Sequence, residues 1–167
     1  MSIQKSTRHS RIIGEFGERL LLNWLSRSGF EVCVVDHTGI DVVAYHPKTK
    51  KRLGITVKSR TRSPGTETVD VTVLSYGKAL SDRDKLMEAC KAFACEPWIA
   101  VYIETVDRAN LYLTSLEHFE KQYKTKKAQA TIDVWKMGQK HTEMYETDPE
   151  VRHIEMRFCT TKWSWCD

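Results

Sequence analysis

The stretch GITVKSR, residues 54–60, decides how this chain is read, together with TGIDVVAY at residues 38–45. Thr56 and Lys58 are two positions apart, so a strand through them presents both on one face. Asp41 opens the earlier strand, and the polar HPKTKK between the two, residues 46–51, reads as a hairpin turn. That hairpin sets Asp41 beside the Thr56–Lys58 edge. A carboxylate facing a second oxygen donor can hold a hard divalent cation. A lysine beside it can orient water or steady a pentavalent phosphate. Singly, an Asp after Gly-Ile is a turn carboxylate and a strand-end Lys is a solvated charge. Only their joint order points to chemistry.

Outward from this pair the pattern continues. Upstream, Phe16, Leu20, Leu21, Trp24 and Leu25 recur at helical spacing, with Glu18 on the same segment and Gly29 placed to end it. FEVCVV, from residue 30, predicts the first strand of a three-stranded meander. RTRSPGTET, residues 60–68, reads as a loop, and VDVTVL after it as an extended segment. Ser81 with Asp84 gives a capping signal for a helix over residues 82–95, with Leu86, Ala89, Cys90 and Phe93 inward and Pro97 as its stop. WIAVYI at 98–103 is the most apolar strand; a strand through LYLT and a helix from Leu116 follow. KTKKAQA, residues 124–130, reads as a basic turn or frayed helix end. In the last forty residues TIDVW and VRHIEMRF read as peripheral strands, and TKWSWCD as a lid or a loose end.

The chain has 167 residues, 41% of them apolar, and a net charge of +4. That suits one α/β domain with a sizeable core. The charge excess is too small to name a partner, but it allows a basic face. No apolar run is long enough to span a membrane, and the N-terminus lacks the apolar core of a secretory signal. The five cysteines are odd in number and form no CxxC; Cys33, Cys90 and Cys95 fall at expected buried positions. Reduced thiols in a cytoplasm are the expectation.

GERLLLNWLSRSGFEV, TGIDVVAY and LGITVKSR, in that order, resemble the core of the PD-(D/E)xK nuclease superfamily, most closely its small archaeal-type Holliday-junction resolvase and Mrr-like branches. SDRDKLMEACKAFACEPWIAVYI is similar to the family's second core helix and following strand. The resemblance covers about residues 12–104 and leaves residues 105–167 as an elaboration. It implies a restriction-endonuclease-like core, a central mixed sheet flanked by helices. It also implies a catalytic trio of Glu18, Asp41 and Lys58, and Mg²⁺ or Mn²⁺ as cofactor. DNA is the implied substrate, and a two-fold homodimer the implied assembly.

One position departs from the family. Thr56 stands where an acid precedes the lysine, and a neutral hydroxyl is a poor ligand for Mg²⁺; its backbone carbonyl remains available. Some members supply the missing acid from the second core helix, which here offers Asp82, Asp84 and Glu88. Glu88 is preferred as the mid-helix position, and Glu18 is the other candidate. Arg60 and Arg62, directly after Lys58, are expected to contact phosphates. Lys48 and Lys51 in the hairpin, with Lys50 and Arg52, and Arg11 before the first helix extend the basic surface. A metal-dependent DNA endonuclease is the leading expectation, possible substrates including branched or structured DNA. A catalytically weak binding module of the same fold is the alternative, and an interaction domain the third.

Overall fold

The structure is a computed structural model that describes residues 3–77, 79–124 and 130–159. The first helix, α1 (His9–Arg27), runs into a meander of β1 (Glu31–His37), β2 (Ile40–Tyr45) and β3 (Arg52–Thr61). Then come β4 (Val71–Ser75), α2 (Asp82–Ala92), β5 (Glu96–Glu104), β6 (Arg108–Ser115) and α3 (Leu116–Gln122). The chain ends through β7 (Ile132–Trp135), α4 (Gln139–Thr147) and β8 (Arg152–Arg157). Six strands form one mixed sheet in the order β1-β2-β3-β5-β6-β8, and β4 pairs with β7 in a second, two-stranded sheet. Among the described strands only β3 and β5 are paired in parallel, so the chain must cross over between them, and α2 lies in that crossover.

Alternation along the strands splits the core in two. Val42, Ala44, Leu53 and Ile55 pack with Ile13, Leu21 and Leu25 of α1 on one face. Ile99, Val101 and Ile103 pack with Leu86, Ala89 and Cys90 of α2, and with Phe119, Trp135 and Tyr145, on the other. The inward residues of α1, Ile13, Gly17, Leu21 and Leu25, are four apart, a narrow seam along one side. Each fully buried aliphatic side chain contributes about 1.5–3 kcal/mol. α1 closes as expected at Gly29, whose N–H donates to Ser26 O while Phe30 N–H reaches back to Leu25 O.

Several expectations are corrected. Arg11 lies inside α1, which starts earlier than the apolar pattern, and Arg60 belongs to β3 rather than to a loop. Pro97 does not stop α2; it is the second residue of β5, near a strand start, where a missing N–H is tolerated. The helix ends instead at Phe93 and Ala94. Phe93, at the cap, has left the helical period and is exposed, its ring against His37. Cys33 is exposed because β1 is the edge strand. Cys90 is buried as expected, and its thiol pKa is pushed up to about 12, chiefly by burial. In the last forty residues α4 joins the expected strands, and β8 extends the main sheet. Lys126, Lys127 and the TKWSWCD segment lie outside the described residues. No helix among the described residues is long and apolar enough to cross a membrane.

Candidate active site

The site begins where two strands part. β2 and β3 pair from Tyr45↔Arg52 to Val42↔Ile55, and the register stops there. One residue on, the Asp41 carboxylate replaces the backbone as acceptor: Val57 N–H donates to its Oδ2 at 2.6 Å. The buried Thr56 hydroxyl donates to the same oxygen at 3.3 Å. Thr56 therefore supports the carboxylate through its hydroxyl. Both hydrogen bonds that Asp41 accepts among the described residues end on Oδ2, which leaves Oδ1 for a cation or water.

Two glycines bring the helices to this point. A Cβ at Gly39, in the β1–β2 turn, would stand 2.4 Å from the backbone oxygen of Lys85, and the residue has φ of +109°. Only glycine lets the turn abut the start of α2. On the other side, a Cβ at Gly17 would meet Ser59 Oγ at 2.2 Å, so α1 lies directly on β3 there. Glu18 follows on α1 and feels the charge of Asp41. Burial first, then the negative charge of Asp41, raise the Glu18 carboxyl above its ordinary pKa; Glu15 adds to this and Arg19 opposes it.

A cavity of about 170 Å³ opens between these elements, lined by Thr38, Gly39, Asp41, Thr56, Lys58, Val73, Leu74, Asp82 and Lys85. Asp41, Thr56 and Lys58 thus meet in one place, and Glu18 is not among the residues that line it. Glu88 does not line it either: it is exposed on α2. The helical acid at the cavity is Asp82, the residue passed over because it sits in the helix's first turn. Topology gives the reason. A crossover helix runs back against its parallel strands, so the N-terminus of α2 lies at the C-terminal end of β3, beside Lys58. A mid-helix residue is already halfway back along the strand. Asp82 accepts from Ser75 N–H through Oδ2 at 3.1 Å, and its Oδ1 is 3.6 Å from Lys85 Nζ. Lys85 itself was not anticipated; it is one turn on from the capping Ser81, and that spacing from the cap was the available signal.

No family model and no curated protein sequence matches the chain. Among solved structures it is similar to Hjc, a Holliday junction resolvase from the archaeal hyperthermophile Archaeoglobus fulgidus. The TM-score is 0.52 at 19% identity, covering 78% of this chain and 88% of that one. This chain has the restriction-endonuclease-like fold. At that identity the likeness is one of fold.

The donors this cavity offers a cation are oxygens, chiefly the carboxylates of Asp41 and Asp82. Among the described residues no group of three or more His, Cys, Asp or Glu is arranged to hold a metal ion. One or two carboxylates, completed by waters and substrate phosphate, are nevertheless the usual set for Mg²⁺, and Mn²⁺ accepts the same donors. The set fits a hard dication and lacks the sulfur and nitrogen that mark zinc sites.

The basic residues divide. Arg60 is exposed, on the same side of β3 as Lys58, and its guanidinium also donates to Ser59 O. Arg62 is occupied: one nitrogen donates to both Val69 O and Asp70 O at 2.8 Å, clasping the loop before β4. Burial, then the charge of Arg60, lower its pKa. Arg62 thus has partners within the chain, whereas Arg60 is exposed. Arg11 is paired with Glu15 one turn along α1. Lys48 and Lys51 are exposed in the hairpin at the other end of β3, about 20 Å from Lys58 at ~3.3 Å per residue.

Proposed function

We propose that this chain is a divalent-metal-dependent DNA endonuclease that hydrolyses phosphodiester bonds in branched or structured DNA. In this reading residues 1–167 form one nuclease-like domain, acting in the cytoplasm as a homodimer. The observation that carries it is the meeting of Asp41, Asp82 and Lys58 in one cavity of a restriction-endonuclease-like fold. The similarity to a Holliday junction resolvase supports the choice of branched DNA.

Asp41 and Asp82 would hold Mg²⁺ or Mn²⁺, with Glu18 acting on Asp41 through its charge. When bound, the ion supplies a Lewis acid for the phosphate and a water of lowered pKa. Thr56 holds Asp41 in place through its hydroxyl. Lys58 places a positive charge where the attacking water and the phosphate oxygens gather negative charge. Arg60 contacts the flanking phosphates, which fixes position without reading sequence.

A second reading has its own observation: the cavity carries two lysines against two aspartates, and one aspartate already faces Lys85. A cavity so neutralised suits phosphate binding without cleavage. Cleavage of four-way junctions and duplexes with Mg²⁺ and with Mn²⁺ separates the two. The parent is expected to cleave, and Asp41→Asn and Lys58→Ala to lose on the order of 10²-fold or more in rate while melting as the parent does. Thr56→Glu, which puts an acid beside Asp41, is expected to tighten the metal requirement. A parent that binds DNA and cleaves with neither ion moves the assignment to the binding module.

A further inference from the structure

Lys85 has no counterpart in the trio from which the site was read, yet it lines the cavity with Asp41, Thr56, Lys58 and Asp82. Its ammonium is 3.6 Å from Asp82 Oδ1, and the two side chains are 22% and 30% exposed. The backbone beneath it is fixed, because the Gly39 turn abuts its carbonyl. The lysine is therefore held at the site by packing as well as by its charge partner. We infer that Lys85 is a built-in countercation of this site: it offsets Asp82, weakens the cavity's hold on a dication and strengthens its hold on a phosphodiester.

The charge count supports this. Asp41 and Asp82 contribute two negative charges, Lys58 and Lys85 two positive ones, so the cavity walls sum to zero. Removing Lys85 leaves the walls negative. A dication entering neutral walls gains less than one entering negative walls, whereas a phosphodiester anion gains more. Thr56 adds to the same effect, since the side chain that meets Asp41 from β3 carries no charge. Lys85 thus sets the division of labour between metal and protein: Asp82 meets a cation before any ion arrives, and a metal must displace that ammonium to use Oδ1. The inference rests on the cavity being the nucleic-acid site proposed above, and it concerns which charge neutralises the phosphate there.

The test uses the full chain and two binding measurements that do not depend on turnover. Mn²⁺ binding to the DNA-free protein is followed by calorimetry, and binding to a four-way junction is followed in chelator. Lys85→Met keeps the length of the side chain and removes its charge. It should tighten Mn²⁺ binding about tenfold and weaken junction binding in chelator by several-fold, as expected for a charge facing both ligands. Lys85→Arg keeps the charge and should stay near the parent in both assays, which separates charge from packing. Thermal melting of each variant reports whether the fold survives. A Lys85→Met protein that is folded and unchanged in either assay overturns the inference. Asp41→Asn serves as the control for the site itself. If it leaves Mn²⁺ binding intact, the metal reading of the cavity fails; if it abolishes Mn²⁺ binding while Lys85→Met changes nothing, only the role of Lys85 fails.

Discussion

The two ends of β3 carry two different cavities. At the Arg52 end, α1 stops at Arg27 and leaves a space of about 490 Å³ lined largely by Leu21, Trp24, Leu25, Phe30, Leu53 and Trp98. At the Lys58 end the space is about 170 Å³ and holds two aspartates and two lysines. The larger cavity follows from how far a helix covers a sheet. The smaller one follows from two strands parting and a carboxylate taking the hydrogen bond that the ladder gives up. Of these two cavities, the larger is walled mostly by apolar side chains, and the smaller gathers its charges where the backbone register ends.

If the two ends are as independent as this contrast implies, a core change at the large cavity should cost stability and nothing else. Leu21 is buried in the α1 seam and lines that cavity. Leu21→Ala removes buried surface beside an existing space, and an unfolding free energy lower by about 2–5 kcal/mol is expected. Chemical denaturation measures that loss. Junction affinity per folded molecule should match the parent. A proportionate fall in both would mean that the α1 seam positions the small cavity, and the contrast would break.

Arg60 and Arg62 sharpen the contrast within one end. Arg62→Ala releases the clasp on Val69 and Asp70 and should cost about 1–3 kcal/mol, the worth of charge-assisted hydrogen bonds. Arg60→Ala should leave melting unchanged. Its effect should appear in DNA titrations at several salt concentrations, as weaker binding to every sequence and a salt slope smaller by about one. Reversed results would assign the phosphate contact to Arg62.

The contrast also explains what could be read from sequence. The helix from Phe16, the meander, the Ser81 cap and the apolar strand at 98–103 follow from periodicity and turn residues that are local in the chain. Asp41 and Lys58 were legible because a short hairpin fixes their relation. Asp82 was not, because its place depends on the parallel pairing of β3 with β5, which no local pattern records. The clasp made by Arg62 was not legible for a similar reason: its carbonyl partners lie across the loop. α4 went unread because its single buried residue, Tyr145, gives too weak a period.

Glu18 tests whether the small cavity carries an electrostatic cost that the large one does not. Its carboxyl pKa is raised in the folded chain by burial and by Asp41. An acid with a raised folded pKa holds its proton more tightly when folded, so its contribution falls as the pH rises through that pKa. At neutral pH the charged form therefore opposes folding. Glu18→Gln should melt slightly higher than the parent at pH 7, with the gap closing as the pH drops below the ordinary carboxylate range. Mg²⁺ should raise the melting temperature of the parent more than that of the variant. A variant that melts lower than the parent at pH 7 would show that Glu18 is stabilised by its surroundings and has no such cost.

The smallest effect is expected at Ala94, where α2 ends near the large-cavity end of β3. The helix closes with Cys95 N–H on Cys90 O at 2.8 Å and Ala94 N–H on Lys91 O at 3.3 Å, a closure that needs a left-handed residue between them. Ala94 fills that place with φ of 51°, and the Cβ makes the conformation cost roughly 1–2 kcal/mol. Ala94→Gly removes that strain. It also gives the unfolded chain more freedom, which takes back about 0.4–1 kcal/mol. The balance is a gain of about 0.5–1 kcal/mol, or roughly 1–4 °C in melting temperature. Because the site gathers at the N-terminus of α2 and this change is at its C-terminus, Mn²⁺ binding and junction affinity should not move. A melting temperature that falls would mean that the alanine methyl makes contacts worth more than its strain. A change in metal affinity without a change in stability would show that the two ends of α2 are coupled, and with them the two ends of β3.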